Sequence, residues 1–586
     1  MNFLKSANIN SLWAELMVEE LVRNGVHYFC ISPGSRSSPL ACAIGSHAKT
    51  TSLIHFDERG TAFHALGYVS AKKKPCVLVC TSGTAVANLF PAVIEASKKK
   101  LPLIVLTADR PPELRCTGAM QTIDQVKIFG DYVRWQFDLP PPTREISPSF
   151  VLTTIDQAVA CAQSNPPGPV HLNTMFREPL APIKANTDFS SYLKVLNDWG
   201  KRSSPFTQYI QPKTGLHVHD VKRLTDEISE IKSGVIVAGK LSSLDEQEGA
   251  LKLARKLNWP LFADIASGLR CGNPHKHIIP YYDQLLLSEH FTKKFKPDGI
   301  LHLGGRITSK RFYDFIERVR PRRYLMVINH PLRNDPLHSV TLRVHNSVKV
   351  FCDAVLPRIP QRNRHPLLSF TIKANQAVHQ TMDKYFYSEA LSEPLTARLI
   401  TRYIPKGHGL FLSNSMPIRE VDMYGTWDGA RIEIGANRGA SGIDGIIAST
   451  AGFVAGLRKP VTLYIGDLAF LYDLNSLAML KNLADPVVLV VANNNGGGIF
   501  SFLPVVKYKD FERYFGTPHG FEFRHAAEMF DLSYACPTKK DEFIAAYQKA
   551  LKSRQSTVIE VKTDRAVNYQ IHKDLQSKII FALKKI

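Results

Sequence analysis

The chain has 586 residues, too many for a single domain at roughly 150 residues each, and its 44% hydrophobic and 21% charged composition excludes a disordered tail or a fibre. Its 73 Lys and Arg against 52 Asp and Glu give a net charge of +21, which points to anionic partners. Charge alone leaves open nucleic acid, acidic lipid, a phosphorylated cofactor or a carboxylate substrate.

Trp13, Leu16, Met17 and Leu21 recur at helical spacing, and Asn24-Gly25 supplies a stop. Glu15, Glu19 and Glu20 lie within this pattern, so no signal peptide is expected. HYFCIS (27–32), SLIHF (52–56), CVLVC (76–80) and LPLIVLTAD (101–109) are short apolar runs that alternate with helical stretches. That rhythm predicts a parallel sheet covered on both faces. It relaxes at 141–149 and stops around 164–173, and the polar stretch through about residue 213 reads as a linker. GVIVAG (234–239), WPLFADI (259–265), DGILHLGG (298–305) and RYLMVIN (323–329) form a second α/β set. GLFLSNS (409–415), PVTLYIGD (460–467), DPVVLVVANNN (485–495) and STVIEV (556–561) form a third. The expected architecture is three doubly wound parallel-sheet domains, 1–185, 205–360 and 385–575. The 9 Cys include no C-x-x-C pair, and no apolar run approaches a membrane span, so a cytoplasmic protein without disulfides is expected.

Gly466-Asp467 ends one strand, and Asn493-Asn494-Asn495-Gly496-Gly497-Gly498 ends the next after 25 intervening residues. Leu474, Leu477, Ala478 and Leu480 make a helical stripe between them, so the segment reads as one βαβ unit with both strands ending at one edge. Asp467 and Asn494 then meet where open α/β sheets bind ligands. One carboxylate, one amide oxygen and a free carbonyl at Gly496 suit a hard octahedral cation that shares oxygens with a phosphate. Turn residues after a strand explain Gly-Asp alone. The Asn run and the triple Gly at this separation favour a metal–diphosphate site.

The arrangement is similar to the thiamine-diphosphate motif. That resemblance implies Mg²⁺ (or Mn²⁺) on Asp467, Asn494 and Gly496, and a glutamate from another domain on the cofactor's aminopyrimidine ring. Glu58, in SLIHFDERG (52–60), is the candidate for that catalytic, cofactor-binding acid, relaying a proton through the ring. Alone, it would read as an acid at a helix N-terminus.

Longer segments narrow the resemblance: CISPGSRSSPL (30–40), TSGTAVANLFPAVIEAS (81–97), LTADRPPELRCTGAMQTIDQ (106–125), SNSMPIRE (413–420), ANRGASGIDG (436–445) and NNNGGGIFSFLP (493–504). These resemble the 2-succinyl-5-enolpyruvyl-6-hydroxy-3-cyclohexene-1-carboxylate synthases, the MenD family of menaquinone biosynthesis. The resemblance implies a transferase that decarboxylates 2-oxoglutarate and adds the succinyl carbanion equivalent to isochorismate in a 1,4-addition. It assigns Ser35, Arg36, Arg110, Gln121, Lys310, Arg311, Ser415, Arg419 and Leu503 to substrate. Gly466, Ile443, Ile499, Phe500 and Arg438 fall to the cofactor, with Arg438 also facing the substrate pocket. It further implies a homodimer or tetramer, with cofactor between the first domain of one subunit and the third of another.

From spacing alone, each of these arginines is equally well a surface salt bridge, and the apolar positions are equally well core. Met120 stands where the family usually has Asn, and Gly498 replaces a polar residue; both bear on how substrate is positioned. Another thiamine enzyme, such as an acetohydroxyacid synthase or a 2-oxoacid decarboxylase, would not need so many cations. A nucleotide site at GVIVAG lacks G-x-G-x-x-G. Nucleic-acid binding lacks any recognition motif, and KKK (72–74, 98–100) and RVRPRR (318–323) read as solvated surfaces.

Overall fold

Val-, Ile- and Leu-rich runs bounded by turns become strands that are buried on both faces where they lie inside a parallel sheet, as at Cys76–Cys80 and Leu103–Asp109, whereas the SLIHF run forms a largely exposed edge strand, Thr51–Ile54. A computed structural model describes residues 3–185, 187–212, 214–363, 365–387 and 390–586. Met1 and Asn2 of the first expected domain, Asn186 and Lys213 of the expected linker, and Ser388 and Glu389 of the third domain lie outside the described residues.

The first sheet contains β1 (Tyr28–Ile31), β2 (Thr51–Ile54), β3 (Cys76–Cys80), β4 (Leu103–Asp109), β5 (Gln136–Leu139) and β6 (Val170–Met175), in the order β2-β1-β3-β4-β6-β5. The second contains β7 (Gly234–Ala238), β8 (Leu261–Ala263), β9 (Ile278–Ile279), β10 (Gly299–Leu303), β11 (Arg323–Ile328) and β12 (Leu342–His345), in the order β12-β11-β10-β7-β8-β9. The third contains β13 (Gly409–Leu412), β14 (Glu433–Ala436), β15 (Val461–Gly466), β16 (Val487–Asn493), β17 (Ser533–Ala535) and β18 (Thr557–Lys562), in the order β14-β13-β15-β16-β18-β17. All pairings are parallel. The expected three doubly wound sheets are therefore present. The first and third share one strand order, whereas the second has the dinucleotide-fold order without its glycine fingerprint.

The chain forms two compact units, Met1–Pro212 with Asn437–Arg458 and Tyr472–Asp485, and Lys213–Ala436 with Lys459–Leu471 and Pro486–Ile586. In the first, Trp13, Leu16, Met17 and Leu21 are buried on the Ile9–Arg23 helix, as their spacing predicts. The rhythm that was expected to stop near 164–173 instead continues through the Pro148–Gln163 helix into β6. Polar residues disguise β6: buried His171 meets the Thr107 hydroxyl at 2.7 Å, and buried Asn173 donates to Asp109 at 2.8 Å. The expected linker also packs down. Phe189, Leu196 and Trp199 join the first core, and Trp199 donates to Glu20 at 2.7 Å. The expected helix between β15 and β16 is an α-helix at Asp467–Tyr472 followed by a 3₁₀-helix at Leu474–Asn482, whose start is marked by the i, i+3 bond from the Ser476 amide to the Asp473 carbonyl at 3.0 Å, with the Ser476 hydroxyl also donating to the Asp473 carboxylate.

Within the first unit, the Ile446–Leu457 helix crosses the Glu58–Lys72 helix at glycines. A Cβ on Gly67 would lie 1.9 Å from the Ser449 carbonyl oxygen, and one on Gly452 would lie 1.9 Å from that of His64. Only hydrogen fits at this crossing. Gly67→Ala should therefore destabilise the protein by roughly 2–3 kcal/mol in guanidinium unfolding. Gly45→Ala, on the Ser38–Ser46 helix where a Cβ meets nothing within 4 Å, should be neutral or slightly stabilising. Equal effects at the two positions would disprove the crossing argument.

Candidate cofactor and substrate sites

In the second unit, β13, β15 and β16 pair side by side with Leu412 opposite Tyr464 and Gly466 opposite Ala492. Their parallel direction brings Ser415, Asp467 and Asn494 to one carboxyl edge, beside the point where strand order reverses. Asp467 is buried, and its Oδ2 accepts from the Gly496 amide at 2.9 Å and approaches His519 Nε2 at 3.2 Å. Its Oδ1 accepts from the Leu468 amide at 2.7 Å. Burial pushes the Asp467 carboxyl above its usual range in spite of these bonds, so a cation would be welcome there.

Asn494 is fixed from behind. Its Nδ2 donates to Glu393 Oε1 at 3.0 Å, which leaves Oδ1 buried with no protein partner. Gly496 has φ +132°, and a Cβ there would lie 1.9 Å from the Gly516 carbonyl oxygen. Its own carbonyl is not free, as the sequence suggested. It accepts from the Gly498 amide at 2.9 Å, because the chain turns at once into the Gly498–Phe502 3₁₀-helix, and one lone pair remains. A Cβ at Gly466 would meet nothing within 4 Å, so space lies open beside Asp467. A buried carboxylate, an orphaned amide oxygen and open space fit a cation with a diphosphate. Among the described residues no group of three His, Cys, Asp or Glu suited to a metal occurs.

Ile499 and Phe500 on that 3₁₀-helix are half-buried, and Leu503 after it is exposed. Ser415 has φ +70° and starts the Met416–Tyr424 helix, where its carbonyl accepts from Arg419. Lys310 is exposed at the first turn of the Lys310–Val319 helix, while Arg311 pairs with buried Asp283.

Sequence reasoning missed Glu393 and His519. Glu393 reads as an ordinary helix-start acid in Ser392-Glu393-Pro394, yet it is buried and also accepts from the Thr563 hydroxyl at 2.9 Å. Burial, and then neighbouring Glu420, raise its carboxyl to about 8. Burial raises Glu420, which accepts from Tyr464 at 2.8 Å, to about 7.

In the first unit, Glu58 opens the Glu58–Lys72 helix just after β2, half-buried, and accepts from Asn88 Nδ2 at 3.3 Å. Ser35 and Arg36 follow β1, the strand at which order reverses in this sheet. Arg36 is buried, donates to the Phe176 carbonyl at 2.8 Å and approaches Glu178 at 3.3 Å, but its Nε has no partner. Burial, and then the Arg110 charge, hold the Arg36 guanidinium below its ordinary value. Two cations that repel each other in this way favour an anion close to both. Arg110 donates to the Met120 carbonyl at 3.0 Å. Gln121, at φ +57°, donates to the Ser82 carbonyl at 3.0 Å, which ties it to the loop after β3. Arg438 is half-buried and Ile443 exposed, both in the segment after β14 that joins this unit.

Three family profiles cover most of the chain: the N-terminal binding domain of thiamine pyrophosphate enzymes at residues 13–128, their middle domain at 190–412, and their C-terminal binding domain at 438–561. A 2-succinyl-5-enolpyruvyl-6-hydroxy-3-cyclohexene-1-carboxylate synthase of Rubrobacter xylanophilus is 46% identical over 97% of this chain and 98% of its own. Synthases of the same name from Salinibacter ruber and Prosthecochloris aestuarii are 44% and 43% identical, over 99% and 98% of this chain and 98% of each of theirs. The chain belongs to the 2-succinyl-5-enolpyruvyl-6-hydroxy-3-cyclohexene-1-carboxylate synthase family. An X-ray structure described as a thiamin diphosphate-dependent enzyme from Mycobacterium smegmatis superposes with a TM-score of 0.69 at 15% identity, over 94% of this chain and 99% of that one, which shows the fold.

Met120 and Gly498, the two expected departures from the family pattern, have local roles. At Met120 the backbone carbonyl holds Arg110 while the side chain is 88% exposed. At Gly498 a Cβ would lie 2.5 Å from Asn494 Nδ2, so glycine leaves the Asn494 amide undisturbed.

The Glu393–Glu420 pair has a pH signature. The folded state keeps protons up to about 8 that the unfolded chain releases near 4.5, so stability falls as pH rises between these values. Glu393→Gln cannot ionise, so urea titrations from pH 5 to pH 8 should show it gaining on the native protein by up to about 1.4 kcal/mol per pH unit. A stability difference that stays flat across this range would refute the buried-proton account.

Proposed function

We propose that this protein catalyses the thiamine-diphosphate-dependent decarboxylation of 2-oxoglutarate and the 1,4-addition of the succinyl unit to isochorismate, the carboligase step of menaquinone biosynthesis. The observation that carries the reading is the buried, unpartnered Asn494 Oδ1 on the same sheet edge as Asp467. Thiamine diphosphate, when bound, supplies the electron sink for decarboxylation. Asp467, Asn494 and the remaining lone pair of the Gly496 carbonyl would hold Mg²⁺ or Mn²⁺, with the diphosphate over Gly466. Glu58 would hold and return the proton at a pyrimidine ring nitrogen.

Both substrates are dicarboxylates, and Arg36 with Arg110 offers a site for one carboxylate. Ser35, Gln121, Lys310, Ser415, Arg419 and Arg438 complete the polar lining in this reading. Arg311 acts there as one half of an ion pair with Asp283 and not as a free cation. Ile443, Ile499, Phe500 and Leu503 supply the apolar wall that keeps water from the reacting carbon. The working form in this proposal is a homodimer or tetramer in the cytoplasm, built from three domains (1–185, 205–360 and 385–575). Among the described residues no helix is long and apolar enough to cross a membrane.

Purified protein with thiamine diphosphate, Mg²⁺, 2-oxoglutarate and isochorismate should consume isochorismate only when every component is present. Turnover of pyruvate in place of 2-oxoglutarate would instead favour another thiamine enzyme. Glu58→Gln should lower kcat by at least about 10²-fold with cofactor binding retained. Asp467→Ala should weaken cofactor retention by at least about tenfold even in excess Mg²⁺. Sedimentation of an active monomer would overturn the oligomeric part of the reading.

A further inference from the structure

The Phe90–Lys99 helix lies in the first unit, together with the loop that follows β14. Its Glu95 is 3% exposed and turns its carboxylate into that loop. Oε1 accepts from the Gly439 amide at 2.7 Å, and Oε2 accepts from the Ala440 amide at 2.5 Å and the Ser441 amide at 3.4 Å. Successive backbone amides around one anion form a nest, and bonds to a charged acceptor are stronger than neutral ones.

The loop sequence is shaped to this grip. A Cβ on Gly439 would lie 2.7 Å from the Glu95 carbonyl oxygen and 2.9 Å from Oε2, and Ser441 adopts φ +65°. One turn further along the helix, Lys99 Nζ donates to Asn437 Oδ1 at 3.3 Å and to the Ser70 hydroxyl at 3.0 Å. Asn437 in turn donates to the Ser449 hydroxyl at 2.8 Å. Glu95 therefore holds the backbone that follows Arg438, and Lys99 holds the side chain of Asn437, the residue before it. An Arg-Gly-Ala-Ser-Gly segment would otherwise lose much conformational entropy on being ordered for binding.

We infer that Glu95 is a positioning residue that fixes the Arg438 loop and so sets where the guanidinium can meet a carboxylate or diphosphate. This rests on the reading of Arg438 as a binding residue given above. Glu95→Gln keeps the shape but replaces one acceptor with a donor facing the loop amides. In the full-length protein with thiamine diphosphate and Mg²⁺, hydrogen exchange across 437–445 should accelerate by about tenfold or more, while the Ile446–Leu457 helix stays protected. KM for at least one dicarboxylate substrate should rise by about tenfold with kcat little changed, and combining Glu95→Gln with Arg438→Ala should add nothing to Arg438→Ala alone.

Gly439→Ala, which pushes the loop off Glu95 without altering the carboxylate, should reproduce both effects. Unchanged exchange across 437–445 in either variant overturns the clamp. Fast exchange with unchanged KM, or an additive double variant, overturns the positioning role. If Arg438→Ala alone leaves KM unchanged, the assignment of Arg438 fails, whereas the exchange data still judge Glu95.

Discussion

Parallel pairing is the constraint from which the rest follows. A strand paired parallel to its neighbours must release its following loop at the same edge as theirs, so residues far apart in sequence meet without any special contact between their strands. Asp467 and Asn494 meet because Gly466 stands opposite Ala492, and Ser415 joins them because β13 flanks β15. In the first sheet the same rule brings Arg36, after β1, to the edge where β3 ends, and Gln121 reaches that edge by bonding to Ser82.

At these edges the protein divides its charges between those it satisfies and those it leaves short of partners. Arg115 bridges Asp109 and Asp138 at 2.8 and 3.0 Å, which occupies the acid next to Arg110, while the Arg110 guanidinium donates to a backbone carbonyl. Arg36 keeps a buried Nε without a partner, and Asn494 keeps a buried oxygen without one. Buried orphans of this kind are destabilising, and they sit at the edges where a ligand would satisfy them. Arg311 is the opposite case, a cation committed to Asp283.

A layer of buried carboxylic acids supports the third-sheet edge. Glu393 orients the Asn494 amide, and Glu420 neighbours both Glu393 and His572, which meets the Tyr424 hydroxyl at 2.7 Å. An amide has one donor end and one acceptor end of equal size, so only a fixed acceptor behind it decides which end faces the site. Such a network is specific where it is complete and expensive where it is broken.

Much of this was legible in the linear chain. Strand runs such as CVLVC and PVTLYIG declare a doubly wound fold because fully buried strands need continuous apolar residues, and the spacing from Asp467 to Asn494 declares a βαβ unit. β6 was hidden because its interior holds His171, Asn173 and Thr174, whose hydrogen bonds exist only once β4 lies alongside. Glu393, Glu95 and His519 were hidden for the same reason: a lone acid or histidine has no pattern until folding supplies its partner. The one-dimensional order of residues thus determined which strands form and which loops end them. Only the tertiary structure decided which amide turns its oxygen inward, which arginine is already paired and which loop is held, because those depend on atoms 28 to 344 positions away.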